Sequence, residues 1–341
     1  MNMSKNKYTR GNIFTYSLIV WCLTFVSPIM AQYRTEVTVT DANSLALENA
    51  MNRNATQLLT EFNYAQGEKR SLYLNNIGIT PETKETIELL WEICPFRCDE
   101  LEIVERCLIT SSGNQIRNIP IIMEPRTGEL FDDDKYQEIV LSFDRQGNIS
   151  DLFFSLSSNQ YKDIMRTGLP VEDLRKRSIV VDFVERFRTA YNRKDLDFLR
   201  NIFSNDALII TGKVIKAEKN IDFRSQPEKI QYNVYKKEEY LNSLERVFKN
   251  NSYLNIIFED IKVRSHATKD YLFGVKLVQH WNSSNYSDKG YLFLLWDFGS
   301  EDDQRNRPNE YPKIHVRTWQ PYDETPKEEL FDLVDFNTEH W

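Results

Sequence analysis

Residues 180–210, VVDFVERFRTAYNRKDLDFLRNIFSNDALII, decide the fold of this chain of 341 residues. Val180, Phe183, Val184, Phe187, Ala190 and Tyr191 recur at helical spacing, which predicts a helix over about 177–192 with a single apolar stripe. Asp195 then caps a second, shorter helix carrying Leu196, Leu199, Ile202 and Phe203, and Ala207 to Thr211 continues as a strand. Tyr240, Leu241, Leu244, Val247 and Phe248 mark a third helix. Four strand-like runs follow, at 253–265, 271–282, 288–298 and 312–320, so this half reads as helices followed by an antiparallel meander.

The chain before it reads the same way. A short β-like stretch at 35–39 precedes a helix from Asp41 to about Ala65, on which Leu45, Leu58, Leu59 and Phe62 are apolar. Thr80-Pro81 gives an N-cap with proline in the first turn, and Ile87, Leu90 and Trp91 form a stripe that Pro95 ends. Leu101, Ile103, Glu105, Cys107 and Ile109 then alternate with Glu102, Val104 and Arg106, which predicts one long strand. Further strands at 116–123, 136–143 and 149–156 end in a hairpin around Asp144–Asn148. Thr167-Gly168-Leu169-Pro170 breaks the pattern, which places an α+β domain over 32–170, a second domain over 171–322 and a tail over 323–341.

The first 31 residues read as an address. Lys5, Lys7 and Arg10 precede the apolar run from Ile13 to Val26, and Ala31 supplies a small residue for cleavage before Gln32. That predicts a cleaved export signal and a periplasmic or secreted chain; membrane attachment follows only if the segment is retained as an anchor. Removing it leaves 40 basic against 51 acidic side chains, a net charge of −11, which argues against nucleic acid as a partner.

The run 180–210, the third helix KKEEYLNSLERVF (236–248) and the terminal meander resemble the NTF2-like (SnoaL-like) superfamily over about residues 175–322. The resemblance implies an α+β fold in which helices pack into a cone formed by a curved antiparallel sheet, with ligands inside the cone. The helices-then-meander order of the first domain makes it a candidate degenerate copy. The whole chain also resembles a family of exported proteins of the Bacteroidota, through the runs at 91–108, 117–125, 207–215, 290–298 and 314–321. That resemblance implies an envelope location and carries no activity with it.

Simple hairpins around 266–270, 283–287 and 299–311 would place Asp260 opposite Lys276, on one face with His280 and Trp296. Asp260, Lys276 and His280 are then candidates for a general acid/base group of the isomerase, dehydratase or cyclase type. Their plain alternative is a cross-strand ion pair beside a satisfied histidine. The other face would carry Tyr291, His315, Arg317 and Trp319, which with Trp296 form an aromatic and cationic set suited to a small ligand or a partner protein. Both faces are apolar, so the second one needs a cover: the first domain, or a second copy in a homodimer through the sheet.

Other chemistry is sparse. There is no Gly-rich phosphate loop, no Gly-X-Ser-X-Gly elbow and no His-Glu-X-X-His, and the four histidines lie far apart, so neither a cofactor nor a metal is called for. After export three cysteines remain, and Cys94 and Cys98 are the two that can bridge, across a loop too small to stabilise much. The stretch WEICPFRCDE (91–100) reads as a helix-ending turn rather than a redox centre, since it lacks Cys-X-X-Cys spacing. The reading is an exported module, non-catalytic, that binds a small ligand or another envelope protein; the alternative is an acid/base enzyme acting inside the cone.

Overall fold

The computed structural model describes residues 33–110, 113–125, 135–165, 171–215, 229–307 and 310–338. The export segment and His340 lie outside these residues. Ser44 opens helix α1 (Leu45–Gly67), its hydroxyl accepting from the Leu47 amide at 3.2 Å, and α2 (Pro81–Ile93) starts at the expected proline. The expected long strand is two pieces. In β3 (Glu102–Arg106) the chain pairs in parallel with β1 (Glu36–Thr40); Cys107 then donates its amide to the Thr40 carbonyl, and β4 (Leu108–Thr110) joins the main sheet instead. That sheet runs β2 (Phe96–Arg97), β5 (Gly113–Met123), β6 (Tyr136–Phe143), β7 (Ile149–Phe154), with β4 also on β5.

Phe62, Trp91, Phe96 and Phe154 form the centre of this first core, with the Phe62 and Trp91 rings stacked at 5.5 Å. Cys94, Cys98 and Cys107 lie in the same core as free thiols. The bridge considered for Cys94 and Cys98 is not formed. Cys94 is extended and β2 runs between the two, so about 13 Å of chain at 3.3 Å per residue separates them, beyond the reach of a disulfide. Burial pushes the Cys94 thiol up to about 12, which makes it inert packing rather than a nucleophile.

The second unit comprises α3 (Ser158–Met165), α4 (Val171–Asn192), α5 (Leu196–Ile202), β8 (Phe203–Ile215), β9 (Lys229–Tyr235), α6 (Lys237–Asn250), β10 (Leu254–Ser265), β11 (Leu272–Ser283), β12 (Ser287–Asp297), α7 (Glu301–Asn306) and β13 (Lys313–Pro321). Helix α3 and strand β9 were not expected. Asp195 caps α5 as predicted, accepting from the Phe198 amide at 2.8 Å. The strands order as β10-β11-β12-β13-β8-β9, antiparallel except where β13 meets β8, and the curled sheet takes the helices on its inner face. This is the architecture that the NTF2-like resemblance implies. The first unit's strand order differs from it.

Val180, Val184, Phe187 and Tyr191 of α4 pack inside the cone against Phe258, Phe273, Leu292 and Trp296. The opposite side of α4 is polar and meets the first unit: Glu185 pairs with Arg117, and Thr189 Oγ1 accepts the Phe154 amide of β7 at 2.9 Å. The sheet's outer face is covered by the chain's own C-terminal segment. Phe331, Leu333 and Phe336 lie on Phe293, Leu295 and Val316, where the first domain or a second copy was expected.

Candidate ligand site

Which residues face into the cone is settled by register. Leu277 pairs with Leu292 and Phe273 with Trp296, all in the inner core, so the even-numbered residues of β11 point outward. The connection between the paired residues Asn282 and Ser287 has four residues, not the five expected, and Ser283 closes it by accepting the Tyr286 amide on its hydroxyl at 3.2 Å. One residue fewer in the turn exchanges the faces. A second shift, the bulge between Glu259 and Lys262, contains Asp260 at φ +49°.

The acid/base trio therefore lies on the outside of the cone, where Asp260 and Lys276 line one cavity and His280 stands apart from it. Asp260 is exposed at its bulge, Lys276 pairs with Asp332 of the C-terminal segment at 2.9 Å, and His280 Nε2 meets Glu259 at 2.8 Å. The second set divides three ways. Tyr291 is outside, its ring stacked on Tyr322 at 4.8 Å. His315 is the extra residue of a bulge in β13, and its Nε2 lies 3.1 Å from Asp297, which is itself held by the Gly299 amide at 2.7 Å. Trp296, Arg317 and Trp319 are inside: Trp296 belongs to the inner core, Arg317 pairs with Leu294, and Trp319 pairs with Leu292.

At the end of the cone where Phe273 and Trp296 meet, α4, the start of β11 and the β12–α7 connection surround a cavity of about 520 Å³. Phe183, Tyr271, Phe273, Phe298 and Tyr311 line it, and Arg175 and Gln304 stand among the polar residues of its wall. Phe298 is central: its ring is 5.8 Å from Phe183, 5.7 Å from Phe273 and 6.1 Å from Trp296. Phe183, Tyr271, Phe298 and Tyr311 are only half-buried, so they offer ring faces and edges to a guest. Ser300 caps α7 and holds the cavity's far wall, accepting the Asp303 amide at 3.2 Å. The sequence marks one of these lining residues, Phe183, as part of a helical apolar stripe, and none as a ligand contact. The available signal was the aromatic density at strand ends, in Tyr271-Leu272-Phe273 and Trp296-Asp297-Phe298.

No protein-family model matches the chain, and no curated protein matches it. Among solved structures it is similar to an NTF2-like protein from Cytophaga hutchinsonii, at 12% identity over 43% of this chain and 98% of that one, with a TM-score of 0.31. An NTF2-like protein from Rhodospirillum rubrum gives 13% identity over 42% of this chain and 98% of that one, with a TM-score of 0.29. The Bdellovibrio bacteriovorus protein Bd1075 gives 13% identity and a TM-score of 0.33; the match covers 53% of this chain and 58% of Bd1075.

Proposed function

We propose that the chain is an exported, non-catalytic module that binds a small, flat, largely apolar molecule in the aromatic cavity between α4, β11 and α7. The observation that carries this reading is the cavity itself. Five aromatic side chains surround about 520 Å³, within the usual range of small-molecule sites, and a few polar groups stand ready to orient one edge of a guest. Aromatic walls hold a planar molecule by burying its faces and by edge-to-face contacts.

The basic residues and apolar run before Ala31 support export, and an envelope location would bring such a module to ligands outside the cytoplasm. The non-catalytic part is supported by the fate of Asp260, Lys276 and His280, which lie outside the cone, with Lys276 taken up by Asp332 and His280 by Glu259. The test is to purify the chain from its host and identify by mass spectrometry any small molecule that accompanies it. A planar apolar compound retained by the native protein and lost from Phe298→Ala is the expected result. Retention that is identical in a folded Phe298→Ala chain would refute the site, and an unprocessed N-terminus would refute cleavage.

A further inference from the structure

On the outer face of the sheet, register brings like charges together. Lys262 of β10 and Lys276 of β11 are directly opposite each other, and Arg264, two residues along β10, stands on the same face opposite Gly274. Like charges in opposed positions repel, so the pairing is unfavourable without an anion beside it. The anion at hand is the chain's own: Asp332, on the C-terminal segment, accepts from Lys276 at 2.9 Å and from Arg264 at 3.4 Å. One carboxylate thus serves two of the three cations.

These groups wall a cavity of about 320 Å³ between the sheet and the C-terminal segment. Lys327 joins Lys262, Arg264 and Lys276 in its wall, against the carboxylates of Asp260 and Asp332, so four positive charges face two negative ones. The chain as a whole is acidic, with a net charge of −8, so a local surplus of two positive charges is a feature of this place and concentrates anions there. Tyr291, Phe293 and Phe331 give the cavity an apolar side. Tyr322, also in the wall, stacks on Tyr291 at 4.8 Å and carries the Lys289 ammonium 4.5 Å from its ring centroid, a fifth cation beside the wall. The volume falls within the range of small-molecule sites, at its lower end.

We propose that this cavity binds a phosphate monoester, and that the bound phosphate takes Lys276 and Arg264 from Asp332 and so loosens the C-terminal segment. A dianion matches the surplus of two charges, and the three terminal oxygens of a phosphate accept from several cations at once. Asp332 already presents one carboxylate to these cations; a phosphate offers the same contacts with more charge. The carbon group of the ester then lies against Tyr291 and Phe331. The site is separate from the aromatic cavity, because Lys276 points out of the cone and Phe273, which lines the aromatic cavity, points into it.

The test is calorimetric titration of the full chain, in physiological salt, with phenyl phosphate and with phenyl sulfate, a dianion and a monoanion of the same shape above the second phosphate pKa of about 6. Saturable binding of phenyl phosphate is expected. It should be weaker by about fivefold for phenyl sulfate and for Lys262→Gln, and tighter by about threefold for Asp332→Asn, which removes the competing carboxylate. Circular dichroism establishes that both variants are folded. Amide exchange at Phe331–Phe336 should accelerate as phenyl phosphate is added. Vesicles of phosphatidylcholine with and without phosphatidic acid form a second arm: sedimentation with the phosphatidic acid vesicles alone assigns the phosphate to a lipid headgroup, and no sedimentation, with phenyl phosphate bound, assigns it to a soluble ester. No binding in either arm overturns the proposal, and so does equal affinity in the folded Lys262→Gln chain. Equal affinity for the two esters overturns the dianion. Unchanged or weaker binding to Asp332→Asn, or exchange that does not accelerate, overturns the competition with Asp332.

Discussion

Two surfaces of the second unit are covered by the rest of the chain, by opposite means. The polar side of α4 meets the first unit through buried charge: Glu185 is fully buried, accepting from Arg117 and from the Leu156 amide at 2.7 Å, and Arg188 spans three acceptors. The outer face of the sheet is covered by Phe331, Leu333 and Phe336, fastened by the exposed Arg264 and the half-buried Lys276 on Asp332. Buried charges tolerate no loss of a partner, so the first contact binds the two units into one cooperative body. Apolar side chains held by screened ion pairs let go locally, so the second is a strap that can lift while the sheet stays folded.

The largest effect is expected at Glu185. Glu185→Ala leaves the Arg117 guanidinium buried without its carboxylate and should cost about 3–5 kcal/mol, measured by urea unfolding. Replacing both partners, Arg117→Met with Glu185→Leu, should recover most of that loss, because no charge is then stranded. A double variant as unstable as Glu185→Ala would break the contrast by showing that shape rather than charge fixes the contact. Thr189→Val comes next. It strands the Phe154 amide, whose acceptor is Thr189 Oγ1 at 2.9 Å, at a cost of about 1–3 kcal/mol, and both units should still unfold in a single transition. Separate transitions would show that the charged contact does not couple them.

The helices around residues 180–250 and the four terminal strands are legible in the sequence because their apolar periodicity is strong and their ends carry caps and turns. The faces of those strands are not legible. A four-residue connection at 283–286 and a bulge at Asp260 each shift the side-chain alternation, and neither leaves a compositional mark. Arg317 and Trp319 share the inner face of β13, but Lys276 and His280 stand outside the cone as a result. The polar side of α4 is equally opaque: Asp182, Glu185, Arg186 and Arg188 have the spacing of a solvated helical face, yet against the first unit Glu185 and Arg188 are buried and Asp182 and Arg186 half-buried. Strand β9 is short, and its Tyr232 and Val234 are exposed, so burial did not pattern it.

The smallest effect belongs to the strap. Burial raises the Asp332 carboxyl, but the hydrogen bond and charge of Lys276, with the charge of Arg264, outweigh it and hold the group below its ordinary value of 3.8. The folded state therefore binds this proton less readily than the unfolded state. The carboxylate's contribution is complete above the ordinary value and is lost as pH falls through the lower folded one, so the strap is fastened at neutral pH and loosens only in strong acid. Asp332→Asn imitates that loss at neutral pH. It should cost the whole protein no more than about 1 kcal/mol, as expected of ion pairs near the surface. Amide exchange at Phe331–Phe336 should nevertheless accelerate while β11 and β12 keep their protection, because the apolar contacts alone must then hold the segment against Phe293 and Leu295. Accelerated exchange throughout the sheet would mean that the strap is part of the cooperative body, and the contrast between the two covered surfaces would fall.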